Sequence, residues 1–246
     1  MTPAGNGTRH VSGGGRSLIV AECFGDVEPT FQGEGPSLGV PALFIRLSRC
    51  NLTCSWCDTK YTWDWTTYDP AREAHRRDVG ELADWACGTD VGLVVVTGGE
   101  PLLQQRALIP LVRRLLAAGK RVEVETNGTI APQEELLVDG VGFNVSPKLA
   151  TSGVDAAKRI VPAVLDAFSA SGRAVFKVVA RTADELEEVD ELVSRFALSP
   201  VYVMPEGATA DDLVRTTRVL APVVAARGWR LTSRLHVLAF ENARGR

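Results

Sequence analysis

Short apolar runs alternate with longer amphipathic segments along most of the chain. The apolar runs predict buried strands at 17–23, 41–48, 91–97, 121–126, 141–145, 173–180 and 200–204, and a last strand region at 229–238. Segments with one apolar face predict helices at 79–87, 102–118, 133–138, 155–170, 183–196 and 211–227. Pro162 predicts a break in the fourth of these helices, and the charged stretch 69–77 is predicted to be a loop.

The alternation of strands and helices predicts βαβ units and a parallel sheet. We count about six such repeats, whereas a closed eight-fold barrel takes roughly 250 residues. Part of this chain of 246 residues is used by its first residues and by a cysteine-rich loop. The prediction is therefore an open, partial (β/α)6 barrel formed by residues 18–246 as a single domain. Residues 1–17, rich in Gly and Ser, are predicted to form a disordered tail.

Composition narrows the class of protein without identifying it. The chain is 45% hydrophobic and 23% charged, as is ordinary for a globular protein. A net charge of −3 offers no electrostatic basis for binding nucleic acid or a membrane. Five cysteines, three of them crowded together, form a poor disulfide framework and predict a reducing, cytoplasmic location. The two isolated ones, Cys23 and Cys87, are predicted to be buried small hydrophobes.

The crowded cysteines are Cys50, Cys54 and Cys57, and they predict a metal site. Soft sulfur ligands favour zinc, copper(I) or an iron–sulfur cluster. A structural zinc site normally has four ligands, so a non-catalytic zinc scaffold would need His75 or Cys87 as well. A cluster held by three cysteines would instead leave one iron open for a substrate or cofactor.

Polar or glycine-bearing segments follow five of the predicted strands. They are the cysteine loop and residues 98–101, 125–128, 146–148 and 204–207. Taken singly, the glycine turn, Glu100, Glu125 and Lys148 each fit an ordinary turn or a solvated loop better than a binding site. Because ligands bind at the carboxyl ends of parallel strands, their common position predicts one composite site. Gly98 and Gly99 are predicted to turn the chain sharply and expose N–H groups to a ligand.

These motifs resemble those of radical S-adenosylmethionine enzymes. The resemblance rests on the three cysteines, on Trp56 before the last of them, and on the Gly-Gly-Glu-Pro turn at 98–101. It implies a partial (β/α)6 barrel and a 4Fe–4S cluster on Cys50, Cys54 and Cys57, whose open iron chelates S-adenosyl-L-methionine. It also implies cofactor contacts from the strand ends, namely Gly99, Glu100, Glu125, Asn127, Ser146, Lys148, Met204, Pro205, Glu206 and Gly207.

A second set of residues carries a narrower resemblance, namely the run 32–35, Arg46, residues 57–59, Thr97, the segments 125–128 and 146–148, and His236. Together they resemble the 7-carboxy-7-deazaguanine synthase family, and the resemblance covers the chain from about residue 22 to the end. It implies a radical ring contraction of 6-carboxy-5,6,7,8-tetrahydropterin to 7-carboxy-7-deazaguanine, with loss of ammonia, in queuosine-type biosynthesis. The cofactors supply the chemistry, so no catalytic side chain is assigned. The implied substrate contacts are Phe31, Gln32, Gly33, Glu34, Arg46, Thr97 and His236.

The same resemblance implies Mg²⁺ beside the substrate carboxylate, held by Thr59. A hydroxyl is a hard oxygen ligand suited to this ion, although the residues 57–59 alone favour an ordinary capping or turn hydroxyl for Thr59. The forked guanidinium of Arg46 suits a carboxylate. The implied partners are a flavodoxin or ferredoxin-type electron donor and a second copy of the chain in a homodimer, with no nucleic acid and no membrane. The aromatic stretch 61–68 is predicted to serve packing.

Two other functions fit the cysteines. A glycyl-radical activating enzyme, or another small radical enzyme, shares the cysteine motif. It would not need Arg46 together with the run 32–35 and His236. The zinc scaffold described above is the alternative without catalysis.

Overall fold

The computed structural model describes residues 17–241 and 243–245, which contain one nine-stranded sheet. The strands are β1 (Ser17–Phe24), β2 (Ala42–Leu47), β3 (His75–Asp78), β4 (Leu93–Gly98), β5 (Arg121–Thr126), β6 (Val141–Val145), β7 (Ala174–Ala180), β8 (Val201–Pro205) and β9 (Arg230–Leu231). The helices are α1 (Pro70–Glu73), α2 (Val79–Cys87), α3 (Gln105–Ala117), α4 (Ala156–Arg159), α5 (Pro162–Ser171), α6 (Glu185–Phe196), α7 (Ala210–Ala226) and α8 (Leu235–Phe240). The predicted tail lies outside the described residues except for Ser17, which begins β1.

The strands follow the order β3-β1-β2-β4-β5-β6-β7-β8-β9 across the sheet. From β2 onward every neighbouring pair is parallel. Each parallel strand therefore pairs with the next parallel strand along the chain. The strand order advances in one direction across the sheet, as in a barrel, whereas in a doubly wound sheet it reverses. Six strands of this series, with the two-residue β9 beside β8, form the predicted partial barrel, and this prediction is confirmed.

The other edge of the sheet is antiparallel, which the sequence did not predict. β1 pairs antiparallel with both β2 and β3. The prediction that residues 69–77 form a loop is wrong, because this stretch contains α1 and most of β3. β3 has no apolar run to reveal it, since its residues are His75, Arg76, Arg77 and Asp78. Charged side chains of this kind are typical of edge strands, where they discourage pairing with other chains.

The parallel strands divide their side chains between an apolar and a polar face. In β5, Val122 and Val124 are fully buried in the main hydrophobic core, whereas Glu123 and Glu125 alternate with them and point to the other face. The same alternation places Arg46 and Thr97 side by side, since these two residues are paired in the register of β2 and β4. The helices cover the apolar face, so the polar face lines the interior of the open barrel.

Two segments differ from their predicted structure. In the predicted strand region 229–238, only the two residues of β9 form a strand. The end of this region, including His236, lies on α8. The predicted helix 133–138 is a single 3-10 turn, Glu134–Leu136. The predicted break at Pro162 is confirmed, because α4 ends at Arg159 and α5 begins at this proline, where its missing N–H costs nothing.

The isolated cysteines differ from each other. Cys87 is exposed, so the prediction that it is buried is wrong. Cys23 is partly buried against the core, and this burial raises the pKa of its thiol to about 11. None of the described helices is both long and apolar enough to cross a membrane.

Candidate active site

A cavity of about 310 Å³ opens where the carboxyl ends of the parallel strands meet. Its walls carry 18 of the 21 predicted site residues, from all five of the predicted strand ends. These 18 residues are Phe31, Gln32, Gly33, Glu34, Arg46, Cys50, Cys54, Cys57, Thr59, Thr97, Gly99, Glu125, Asn127, Ser146, Lys148, Met204, Glu206 and His236. Glu100, Pro205 and Gly207 are not among its lining residues. The tertiary structure therefore brings the predicted composite site together.

The three crowded cysteines lie on one wall of the cavity, in the loop after β2. Burial raises the pKa of Cys50 to about 11, and it also raises the pKa of Cys54. The amide of Leu52 donates to the Cys50 sulfur at 3.4 Å. Within the described residues no group of three or more His, Cys, Asp or Glu side chains is placed around a single metal ion. Three thiols on one wall are the donor set that a three-cysteine iron–sulfur cluster requires, and its positive irons would offset the burial that disfavours thiolates.

The glycine turn after β4 is packed against the cysteine loop. A Cβ on Gly99 would lie 2.5 Å from the carbonyl carbon of Arg49 and 2.9 Å from the Cβ of Cys50. The amide of Gly99 donates to the Leu47 carbonyl, and the amide of Glu100 donates to the Arg49 carbonyl. The prediction that the turn exposes N–H groups to a ligand is therefore wrong for Gly99. The glycines instead permit two backbone segments to touch.

Glu100 stabilises the cavity wall from behind. It is fully buried, and its carboxylate accepts hydrogen bonds from the amides of Leu102 and Asn127 and from the hydroxyl of Thr126, at 2.7–3.0 Å. Burial raises its pKa, and these hydrogen bonds act in the opposite direction. Because one oxygen holds the amide of Asn127, Glu100 fixes the end of β5 where Asn127 faces the cavity.

Lys177, which the sequence analysis did not select, lies at the centre of the polar face. Its side chain is only 3% exposed, and its Nζ lies 2.5 Å from Glu34 Oε2 and 2.6 Å from Glu125 Oε2. Glu125 also accepts from Gln32 Nε2 at 3.1 Å and from Asn144 Nδ2 at 2.8 Å. A single lysine thus connects the loop before β2 with β5. Its only sequence signal is a charge in the middle of the apolar run of β7.

This cluster holds opposite charges in a buried place. Burial raises the pKa of Glu34, but Lys177, His236 and Arg234 outweigh it and hold that pKa well below its usual range. Burial likewise lowers the pKa of Lys177, but Glu125 and Glu34 outweigh it and raise that pKa. Glu34 is therefore an ionised acceptor at neutral pH.

Arg234 is a second buried cation that the sequence analysis missed. Its Nη2 lies 2.5 Å from Asp58 Oδ2, in the cysteine loop, and its Nε lies 3.5 Å from Glu34 Oε1. Its Nη1 donates to the Gly207 carbonyl at 2.9 Å. Gly207 therefore does not line the cavity, but its carbonyl holds Arg234, which does.

His236 reaches the cavity from α8, which is docked on the loop containing Gly33. The amide of Leu235 donates to the Gly33 carbonyl at 2.8 Å. A Cβ on Gly33 would lie 2.9 Å from His236 Cγ, so the close packing requires glycine here. Burial lowers the pKa of His236, and the nearby Glu34 only partly offsets this effect.

Arg46 has a fixed orientation in the cavity wall. Its Nε donates to Glu22 Oε1 at 2.6 Å. The same oxygen of Glu22 accepts from the Tyr61 hydroxyl at 2.6 Å, and its other oxygen accepts from Arg244 at 3.1 Å.

The segment that follows β6 also has a hydrogen bond between two of its cavity-lining residues. In it, Lys148 donates to the Ser146 hydroxyl at 2.9 Å.

Comparison with known proteins agrees with this geometry. A model of the Radical SAM superfamily matches residues 44–150. A 7-carboxy-7-deazaguanine synthase of Pyrobaculum aerophilum is 37% identical over 225 residues, which cover 90% of this chain and 96% of the relative. One of Hyperthermus butylicus is also 37% identical, over 90% of this chain and 92% of the relative. The crystal structure of QueE from Escherichia coli superposes with a TM-score of 0.68 at 28% identity, over 89% and 95% of the two chains.

Proposed function

The chain belongs to the 7-carboxy-7-deazaguanine synthase family of the radical SAM superfamily, and on that premise we propose a role for each wall of its cavity. It is a radical S-adenosylmethionine enzyme, a carbon–nitrogen lyase acting on a small molecule, with a 4Fe–4S cluster and S-adenosylmethionine as cofactors. Relatives of this one family match about nine-tenths of the chain, so neither a glycyl-radical activating enzyme nor a zinc scaffold accounts for it.

The substrate side is the polar wall around Arg46 and Glu34. For 6-carboxy-5,6,7,8-tetrahydropterin, the guanidinium of Arg46 binds the carboxylate and the ionised Glu34 accepts N–H groups of the pterin ring. Gln32, Thr97, His236 and the backbone at 31 and 33 complete this wall. The observation that carries the proposal is that a partly buried, ionised carboxylate and an oriented guanidinium line the same cavity as the three cysteines.

The cofactor side is formed by the other strand ends. The bound cluster and S-adenosylmethionine supply the radical chemistry, and the protein orients them and excludes water. We assign direct contacts with S-adenosylmethionine to the lining residues Gly99, Glu125, Asn127, Ser146, Lys148, Met204 and Glu206. The three predicted contacts that do not line the cavity, Glu100, Pro205 and Gly207, are assigned a supporting role behind it.

Thr59 is the proposed protein ligand of Mg²⁺. Thr59 lines the cavity, and its hydroxyl lies 3.6 Å from the Cys57 sulfur. Magnesium keeps several waters and shares oxygen ligands with its substrate, so one hydroxyl beside a substrate carboxylate suffices. Homodimer formation, reduction by a flavodoxin or ferredoxin-type donor and a cytoplasmic location complete the proposal.

The proposed substrate is tested in an anaerobic assay. Protein reconstituted with iron and sulfide is incubated with 6-carboxy-5,6,7,8-tetrahydropterin, S-adenosylmethionine, Mg²⁺ and dithionite. We expect 7-carboxy-7-deazaguanine and ammonia in equal amounts. Cleavage of S-adenosylmethionine without either product would contradict the assigned substrate and leave the superfamily assignment intact.

Replacing Arg46 by alanine is expected to lower kcat/KM for the pterin about 10- to 100-fold, since a hydrogen bond to a charged group contributes about 1.5–3 kcal/mol. Iron content and slow cleavage of S-adenosylmethionine without substrate should stay near wild type. Arg46→Lys keeps the charge but not the fork, so we expect it to recover only part of the loss. An equal loss of turnover, cluster and cleavage in Arg46→Ala would show that Arg46 is structural.

A further inference from the structure

One tryptophan of the aromatic stretch has a contact that its predicted packing role does not account for. Trp63 lines the cavity beside the cysteines, and its indole Nε1 lies 3.3 Å from the Cys57 sulfur. The indole nitrogen is a hydrogen-bond donor only, so in this contact the sulfur is the acceptor. Trp65, two residues later, is 38% exposed, so the stretch does not form one packed unit.

The backbone around Trp63 is anchored to the cysteine loop. A 3-10 turn, Lys60–Thr62, precedes it, and the amide of Trp63 donates to the Lys60 carbonyl at 3.0 Å. The amide of Arg49, next to the first cysteine, donates to the Thr62 carbonyl at 2.6 Å. The hydroxyl of Ser48 donates to the same carbonyl at 3.1 Å. The backbone of Trp63 is therefore fixed relative to the cysteine loop, which carries the sulfur that the indole contacts.

We propose that Trp63 sets the reduction potential of the iron–sulfur cluster by donating its indole N–H to the sulfur of Cys57. The inference rests on the cluster that the proposed function requires. When the cluster takes up one electron from an external reductant, negative charge on its ligand sulfurs increases. A donor fixed on one sulfur stabilises the reduced form more than the oxidised form, and so raises the potential.

The proposal makes Trp63 a positioning residue with a measurable signature. Trp63→Phe keeps most of the aromatic surface and removes the N–H. At the wild-type midpoint potential, we expect the ratio of reduced to oxidised cluster in this variant to fall about threefold to tenfold. A tenfold change corresponds to 59 mV for a one-electron couple.

The matched control is Trp65→Phe, which makes the same change in the same stretch on an exposed side chain. Both variants and the wild type are loaded with cluster anaerobically and assayed for iron and sulfide. Each is then titrated with dithionite, and the reduced cluster is followed by electron paramagnetic resonance. The control should keep the wild-type midpoint. A wild-type midpoint in fully loaded Trp63→Phe would overturn the proposal.

A second replacement covers the case in which Trp63→Phe does not hold the cluster. The benzothienyl analogue of tryptophan, with sulfur in place of the indole N–H, preserves the shape and lacks the donor. The same downward shift of the midpoint is expected, and an unshifted midpoint or loss of the cluster here as well would overturn a tuning role. No substrate is present in these titrations, so their result is independent of whether the pterin is the correct substrate.

Discussion

Replacing Lys177 by methionine is expected to lower the free energy of unfolding by about 3–5 kcal/mol at pH 7, the usual cost of breaking a buried ion pair from one side. Methionine fills a similar volume, so the loss comes from charge and not from a cavity. Without Lys177, Glu34 and Glu125 would remain as two partly buried carboxylates close to each other. Substrate turnover should fall as well, because Glu34 loses the partner that orients and ionises it.

The loss should depend on pH in a defined direction. The pKa of Glu34 is depressed in the wild type, so its contribution to stability is present above its ordinary pKa, near 4.3, and is lost as the pH falls through the depressed value. The pKa of Lys177 is raised, so its contribution persists from below its ordinary pKa up to the raised value. The difference between variant and wild type should be largest from about pH 6 to 10, because two carboxylates left without their cation disfavour each other's ionisation and take up a proton in weak acid. It should shrink as the carboxyls of the variant take up protons in acid.

Urea unfolding of matched, cluster-loaded samples, followed by circular dichroism at pH 5 and pH 7.5, measures this difference. The control is Lys158→Met, which removes an exposed lysine from α4 and should change stability by less than about 0.5 kcal/mol. A loss for Lys177→Met below about 1 kcal/mol, or one of equal size at both pH values, would contradict the assigned charge cluster.

Gly99→Ala is expected to remove most of the bound cluster and to lower product formation more than 100-fold. The added Cβ would overlap the backbone of Arg49 and lie 2.9 Å from the Cβ of Cys50. Overpacking against backbone costs about 1–3 kcal/mol or more, because a backbone segment cannot turn aside as a flexible side chain can. The loop must shift, and the shift moves Cys50 away from the other two cysteines.

The matched control for this change is Gly92→Ala. A Cβ on Gly92, just before β4, would meet nothing within 4 Å. We expect this variant to keep its iron, sulfide and product formation. Wild-type iron content and turnover in Gly99→Ala would show that the cysteine loop adapts, and that the close approach of the two segments is not required.

The strands from β4 to β8 were predictable within two residues at each end, because each is a short apolar run between helices with an apolar face. The cysteine motif was equally clear, since three thiols crowded into one short loop indicate metal binding far more strongly than a structural role for each thiol. The predictions for β3 and for the region 229–238 were wrong for the same reason. Edge strands and short docking helices are defined by contacts with the rest of the fold, and their own residues show no period.

Among the site residues, those that belong to a strand-end motif or to the family resemblance were found, and the charged residues outside both were missed. Lys177 was hidden in an apolar run, and the sequence gives no sign that Glu34 and Glu125, 91 residues apart in the chain, share it. Arg234 was missed because its partners, Asp58 and Glu34, are far from it in the sequence. Trp63 was noticed only as one of several aromatic residues.

The sequence by itself determined the series of parallel strands, the cysteine motif and, through resemblance, the family. It did so because these features depend on local periodicity and spacing, which one stretch of chain contains completely. Only the tertiary structure decided that Lys177 bridges two carboxylates, that Gly99 touches the cysteine loop and that Trp63 faces the sulfur of Cys57. Each of these depends on the distance between atoms far apart in the chain or on the direction of a side chain, and only the packing of strands and loops in the folded chain sets both.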